Sequence, residues 1–449
     1  MRSCSLFSRA IDLLVVVVGV LVSGPAMAAI SLHVDVETHN TASKGGSHIP
    51  ADAHEALDVT LSNEYISITS PSETEILDFQ GRRRFTLDNS AKVYVEFSLY
   101  DAVGFRVMEL QNREMLNGVL AAASVSPASF ATVDDEQALS VLSRTPAKID
   151  ETVDREDRVF SSGGRQLIRW SKTGVQVSSS DIERFAKFLR YREGGHPYIL
   201  STLATGNSIP SRSVYTDTEA WGTRIISIST AAVHQVEATP YDLRGYSRRS
   251  NGSSPDGIDE LLDKAANLTP EAVEAARARN REDVAQAFHD GRLVDALLAT
   301  SEGGLMGGQL DRFSPEQLAR FRGEPAVGEL ISALGVHSKE GAPGAAKAFL
   351  DLREKAPRKA YVLKIFEANN RLMMNDAPSA IRLFREALES NIAIAGVYKD
   401  LGDLLFTRYD TPRAWRCWDV GRLIGPQFSN FNSVNQFEKR LASDHPEYF

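Results

Sequence analysis

Pro343-x-Ala345-x-Lys347-x-Phe349, Pro378-x-Ala380-x-Arg382-x-Phe384 and Pro412-x-Ala414-x-Arg416-x-Trp418 decide how this chain is read. The first two lines start 35 residues apart and the last two 34 apart, a period that belongs to stacked helical hairpins. Pro suits a first helical turn, where its missing N–H costs nothing. Asp376 and Thr411, close before two of these prolines, are expected N-caps. The small Ala marks where two helices approach, and the aromatic four residues on lies on the same face. Ala387 and Gly421 continue that stripe. Upstream of the last line, Tyr398, Leu401, Gly402 and Leu405 are spaced as the inward face of a preceding helix, and Pro426 closes the unit.

These residues resemble a tetratricopeptide repeat over 395–428, with Tyr398, Leu401-Gly402, Leu405, Ala414, Trp418, Gly421 and Pro426 in the pattern's places. Residues 361–394 match in the second helix, while in the first Ala368 keeps the small position and Glu367 and Arg371 replace apolar ones. Residues 326–360 carry Leu334-Gly335, Ala345, Phe349 and Pro357 in order. The resemblance implies an all-α solenoid packed through Ala345, Phe349, Ala380, Phe384, Ala387, Tyr398, Leu401, Gly402, Ala414, Trp418, Gly421 and Pro426. It also implies a concave groove lined by the first helix of each hairpin. Carried over by position, that groove shows Asn369, Met373, Lys399, Asp403 and Phe406. Polar groups around an apolar anchor suit an extended peptide or a helix of a protein partner.

At the other end, Met1–Ala28 reads as a secretory leader. Arg2 and Arg9 give the positive start, Leu13–Val22 the apolar run, and Ala26-x-Ala28 the small-residue cleavage site. The run is shorter than the roughly 20 residues a membrane-spanning helix needs, and Ser23-Gly24-Pro25 interrupts it. Cleavage after Ala28 is expected, giving a periplasmic or secreted protein that is not integral to the membrane.

The chain carries 50 basic and 59 acidic side chains, a net charge of −9. Nucleic acid is a poor partner for such a balance, because phosphate binding needs a basic footprint. Cys4 leaves with the leader, and Cys417 beside Trp418 reads as a small buried residue.

Residues 30–99 alternate with period two. Leu32, Val34 and Val36 oppose His33, Asp35 and Glu37, and strands are expected at 74–79, 83–87 and 92–99. A helix from Asp101 is expected to bury Phe105, Met108, Met115, Leu116, Val119 and Leu120. More strands follow around Ser162-Gly163-Gly164, then a helix opened by Ser180-x-x-Glu183 as a capping box, a short helix over 196–204 and a strand over Trp221–Val236. Together these predict an antiparallel α+β domain over 29–245, a curved sheet or half-barrel with helices. From Ile76-Leu77-Asp78-Phe79 to Tyr94-x-Glu96 the pattern resembles periplasmic lipoprotein-carrier domains, which implies a lipid or lipoprotein acyl chain as ligand.

Arg248–Gly257 has linker composition, within a linker expected over 246–257. A helical region is expected over 258–325, with Thr269-Pro270 and Ser314-Pro315 as helix starts. The repeats then occupy 326–449, and Phe431, Val434, Phe437 and Leu441 form a last helix expected to cap the solenoid's end.

No catalytic constellation, metal site or cofactor motif stands out. His33, Asp35 and Glu37 share a strand face, but alternate side chains lie roughly 6–7 Å apart, too far for one ion to take all three. Arg82-Arg83-Arg84 either meets an anionic lipid or acidic partner, or guards a strand edge. His289-Asp290 ends a helix, where a cationic His suits the dipole. Gly303–Gly308 lacks the Lys-Ser/Thr of a phosphate loop and reads as a flexible turn. The leading functional expectation is an exported, non-enzymatic scaffold that binds a protein or peptide. A lipid or lipoprotein carrier and an enzyme with an unmarked site in the β-domain are the alternatives.

Overall fold

The computed structural model describes residues 28–43, 49–123, 132–219, 221–249, 255–308 and 313–449. The leader through residue 27 lies outside them. The sheet begins with β1 (Ala28–Ala42), β2 (Ala53–Leu61), β3 (Tyr65–Thr69), β4 (Glu73–Asp78), β5 (Arg83–Asp88) and β6 (Val93–Ser98). Next come α1 (Leu99–Ala122), α2 (Thr132–Leu139), β7 (Asp150–Val153), β8 (Asp157–Ser162), β9 (Arg165–Ser171) and β10 (Gly174–Gln176). The region continues through α3 (Ser179–Arg192), α4 (Pro197–Ala204), β11 (Ser208–Pro210), β12 (Arg212–Glu219), β13 (Gly222–Glu237) and β14 (Ser247–Arg248).

Twelve strands form one open sheet in the order β14-β6-β5-β4-β3-β2-β1-β13-β12-β9-β8-β7. The pairings are antiparallel except for the parallel β14 and β6. Alternation fixes which face is buried. Leu32, Val34 and Val36 point into the core with Leu57, Val59, Ile226 and Ile228, while His33 on the other face bonds Asp58 across the strand pair at 2.9 Å. That core face wraps α3 and α4. Ile182, Phe185, Ala186, Phe188 and Leu189 recur at helical spacing, and Ile199 and Leu200 join them. That face of the sheet is therefore covered by the protein's own helices. On the opposite face Tyr65, Ile76, Phe85 and Leu87 make a smaller core under Tyr241, Leu243 and Tyr246.

Fifteen α-helices are present among the described residues. The rest are α5 (Ile258–Ala266), α6 (Pro270–His289), α7 (Leu293–Leu305), α8 (Pro315–Arg322), α9 (Pro325–Leu334) and α10 (Ala342–Lys355), then α11 (Ala360–Met373), α12 (Ala377–Ser390), α13 (Ala395–Thr407), α14 (Thr411–Ile424) and α15 (Asn432–Asp444). The chain is thus an α+β protein, a large N-terminal sheet followed by a many-helix region whose α9–α10, α11–α12 and α13–α14 pairs are compatible with a helical repeat.

Several local expectations are corrected. The box opening α3 is Ser178 with Asp181, two residues earlier than Ser180 with Glu183. Asp410, not Thr411, caps α14, accepting from the Arg413 N–H, whereas Asp376 does cap α12. Gly303 and Gly304 lie inside α7 instead of a flexible turn, because Asn280 donates to the Ala299 carbonyl and to Glu302 and fastens that helix to α6. The second half of α1 leaves Met115 67% and Val119 61% exposed, with Phe105 and Leu116 also exposed. The helix instead buries its Val103, Gly104 and Leu110 side.

The stretch expected as linker is anchored on both sides of 250–254, which lie outside the described residues. Ser247 and Arg248 pair with Val93 and Tyr94, and Asp256 accepts from Arg385 and Arg413. The N-terminal region and the later helices also share one core, in which Val103 and Leu110 of α1, Leu139 of α2 and Val141 join Ile258, Leu262, Phe384, Leu401, Trp415 and Tyr448. The last helix α15 packs on α1, and Tyr448 beyond it reaches the Leu139 and Ser140 carbonyls. The same helix also packs on the last hairpin, where Phe437 meets Phe406 and Trp415, so it links that hairpin to the N-terminal region.

Candidate binding groove on the helical hairpins

The hairpin α13–α14 is closed by the residues that carried the sequence pattern. Tyr398, Leu401, Leu405, Ala414, Trp418 and Gly421 are buried, as are Ala345, Phe349, Ala380, Phe384 and Ala387 in the other hairpins; Pro426 is exposed. Gly402 is required where it stands. A Cβ there would lie 2.4 Å from Trp418 Nε1, so only glycine lets the indole rest on α13. The indole N–H then donates to Asp403 at 3.1 Å, which satisfies the polar end of a large buried ring.

Each hairpin presents two sides. The α14 side is covered: Trp415 packs under α1, Arg416 pairs with Asp259 and Asp263 on α5, and Asp419 pairs with Arg83 on β5. On the other side α7 covers the start of α11 and α13, and further along these helices the surface is open. Between these helices lies a groove of about 520 Å³ lined by Asn369, Leu372, Asn375, Ala377, Asp400, Asp403, Leu404, Thr407 and Arg408. Its size falls in the range of ligand pockets, roughly 300–1,000 Å³.

Of the residues carried over from the repeat pattern, Asn369 and Asp403 line this groove. Lys399 is only 8% exposed; its stem lies under the helix surface and its ammonium pairs with Asp403. Phe406 sits within 5.6 Å, ring to ring, of Trp415 and Trp418, in the aromatic core. Met373 is half-buried at the end of α11 and outside the lining. The groove face of α13 is the stripe 400, 403, 404, 407, whereas the carried-over positions 399, 403 and 406 straddle its edge. That i, i+3, i+4, i+7 spacing is itself visible in the sequence.

Asp400 is the main residue missed. Its carboxylate accepts from Asn369 Nδ2 at 3.0 Å, linking α11 to α13. Burial first, and the neighbouring Asp403 charge, push its carboxyl up to about 6, against the pull of the Asn369 hydrogen bond and Lys399. The groove thus combines a half-desolvated acid, a second carboxylate, two amides and two leucines. Such a surface can hold a peptide through hydrogen bonds and one apolar contact.

Other clusters do less. A cleft of about 460 Å³ between β5, β6 and α14 is lined by Arg83, Arg248, Arg416 and Arg422, but Glu96, Asp419, Asp259, Asp263 and Glu438 engage these guanidinium groups. Glu136 and His196 form a pair at 3.0 Å, both 0% exposed. Ser143 donates to Glu136, and His196 Nδ1 accepts the Tyr198 N–H, so no hydroxyl is poised as a nucleophile on this imidazole. Cys417 is fully buried, and desolvation drives its thiol far above the ordinary range. Among the described residues, no group of three or more His, Cys, Asp or Glu side chains could hold a metal ion, and no helix is long and apolar enough to cross a membrane.

No protein-family model matches this chain, and no curated protein matches it either. The class supported by residues and geometry is an open-sheet α+β protein with a helical-hairpin region.

Proposed function

We propose that this is an exported, non-enzymatic interaction protein whose α11–α13 groove holds a peptide segment of a protein partner, on hairpins of the tetratricopeptide kind. The observation that carries this reading is the asymmetry of the hairpins: the α14 side is spent on holding the N-terminal region, and the α11–α13 groove stays open and lined by polar side chains around Leu372 and Leu404. The leader residues before Ala29 support export. The core face of the sheet, occupied by Phe185, Phe188 and Leu200, favours the peptide reading over a lipid-carrying half-barrel.

The test is affinity capture with the mature protein and its Arg408→Glu variant. Arg408 lines the groove and is exposed, so the variant keeps its fold by circular dichroism and loses the captured partner. Capture at undiminished yield with that variant would oppose the proposal.

A further inference from the structure

The turn between β4 and β5 brings Arg82 beside α3, where Lys187 and Arg190 stand three residues apart and therefore on one helix face. The three cations sit chiefly among rings, with Glu447 as the carboxylate paired to Arg190. Lys187 Nζ lies 4.3 Å from the Phe79 ring centre, Arg82 Cζ 5.1 Å from Phe449 and Arg190 Cζ 5.3 Å from Tyr448. Tyr191 joins the set, its ring 6.2 Å from Phe79 and 5.4 Å from Tyr448.

Hydrogen-bond donors are left over in this cluster. Arg190 is 3% exposed, yet its Nε and Nη1 have no hydrogen-bond partner, and the buried Arg82 Nη1 has none either. The nearest counter-charge on Arg190, Glu447, is 3.9 Å from Nη1, beyond hydrogen-bonding range. Glu183 is exposed on α3, and Arg106 is already spent on the Arg190 and Tyr191 carbonyls and the Tyr448 hydroxyl. Burial, then the charges of Arg82 and Arg190, push Lys187 down to about 8. Three cations held together with unmet donors are costly. A bound oxyanion would remove that cost by accepting from all three.

We propose that Arg82, Lys187 and Arg190 form a binding site for a phosphate group. A phosphate presents several oxygens at once to planar guanidinium forks and a point-charge ammonium, which matches this mixed set of donors. The bearer is a soluble phosphate or a phospholipid headgroup, and the site is separate from the α11–α13 groove.

The test uses the mature full chain and inorganic phosphate at constant ionic strength, with chloride as the comparison anion. Arg82 and Lys187 are partly exposed, so Arg82→Gln and Lys187→Gln retain the fold, which circular dichroism checks. Phosphate is expected to raise the thermal midpoint saturably in the native protein, and each variant to weaken the apparent affinity about tenfold, the loss of one charge-assisted hydrogen bond of about 1.4 kcal/mol. Phosphate acting no better than chloride, or variants that bind as the native protein does, would overturn the proposal. Co-sedimentation with phosphatidylcholine vesicles, with and without phosphatidylglycerol, identifies the bearer. Binding that needs the anionic lipid and Arg82 assigns a headgroup, and phosphate binding without vesicle binding assigns a soluble phosphate.

Discussion

Gly104 on α1 lies flat against the indole of Trp415 on α14, so close that a Cβ on Gly104 would stand 2.3 Å from the ring's Cη2. This contact joins the sheet region to the last hairpin, and Trp415 is fully buried with its N–H donated to Glu438 at 3.0 Å. Gly104→Ala should therefore destabilise the whole chain by about 1–3 kcal/mol through overpacking. Trp415→Ala should cost about 3–5 kcal/mol through the cavity it leaves. Urea denaturation of the mature protein reads both, and a neutral Gly104→Ala would mean that the two regions do not pack this way.

Asp101 gives a pH signature at the same junction. Burial above all raises its carboxyl to about 6, with Arg84 and the Ala102 N–H pulling it down and Asp419 adding to the rise. A carboxyl harder to ionise in the folded chain than in the unfolded one, near 4, removes stability as pH rises through that window. The penalty is complete above about pH 6 and absent below about pH 4. Asp101→Asn should be more stable than the native chain at about pH 8, by on the order of 2 kcal/mol, with the gap closing as pH falls to about 4. A gap of the same size at both ends would remove the assigned cause.

How much of this was legible beforehand follows from where the signals are local. Period-two alternation marked the strands, and the Pro-x-Ala lines marked the second helices of the hairpins, because each pattern reports on its own element. The direction in which α1 buries was not legible. Phe105, Met115 and Val119 are its apolar face by composition, and only the arrival of Trp415 explains why the Gly104 side is buried instead. The groove was half legible: Asn369 and Asp403 line it, but Phe406 was drawn into the aromatic core by Trp415 and Trp418. No sequence spacing could link Arg82 to Lys187 and Arg190, since a turn and a distant helix bring them together.

Limited proteolysis tests the proposed division of the chain. The first cuts are expected between Arg248 and Gly257, yielding a sheet fragment and a helical fragment. Because one core runs through both, with Tyr448 bonded to Leu139 and Ser140, the fragments should co-elute on a sizing column under native conditions. Fragments that separate at once would contradict that shared core.

Export is tested at the chain's start. N-terminal sequencing of the protein recovered from its native compartment should begin at Ala29, after the Ala26-x-Ala28 site; an intact Met1 would argue against a cleaved leader.

The central claim is that the α11–α13 groove meets the partner. A photoactivatable benzophenone residue placed at Thr407, in the groove, and separately at Gln436, exposed on α15, tests it in the cell. The account predicts a protein adduct from position 407 that disappears when Arg408→Glu is added, and none from position 436. An adduct that survives Arg408→Glu, or one formed equally from position 436, would contradict it.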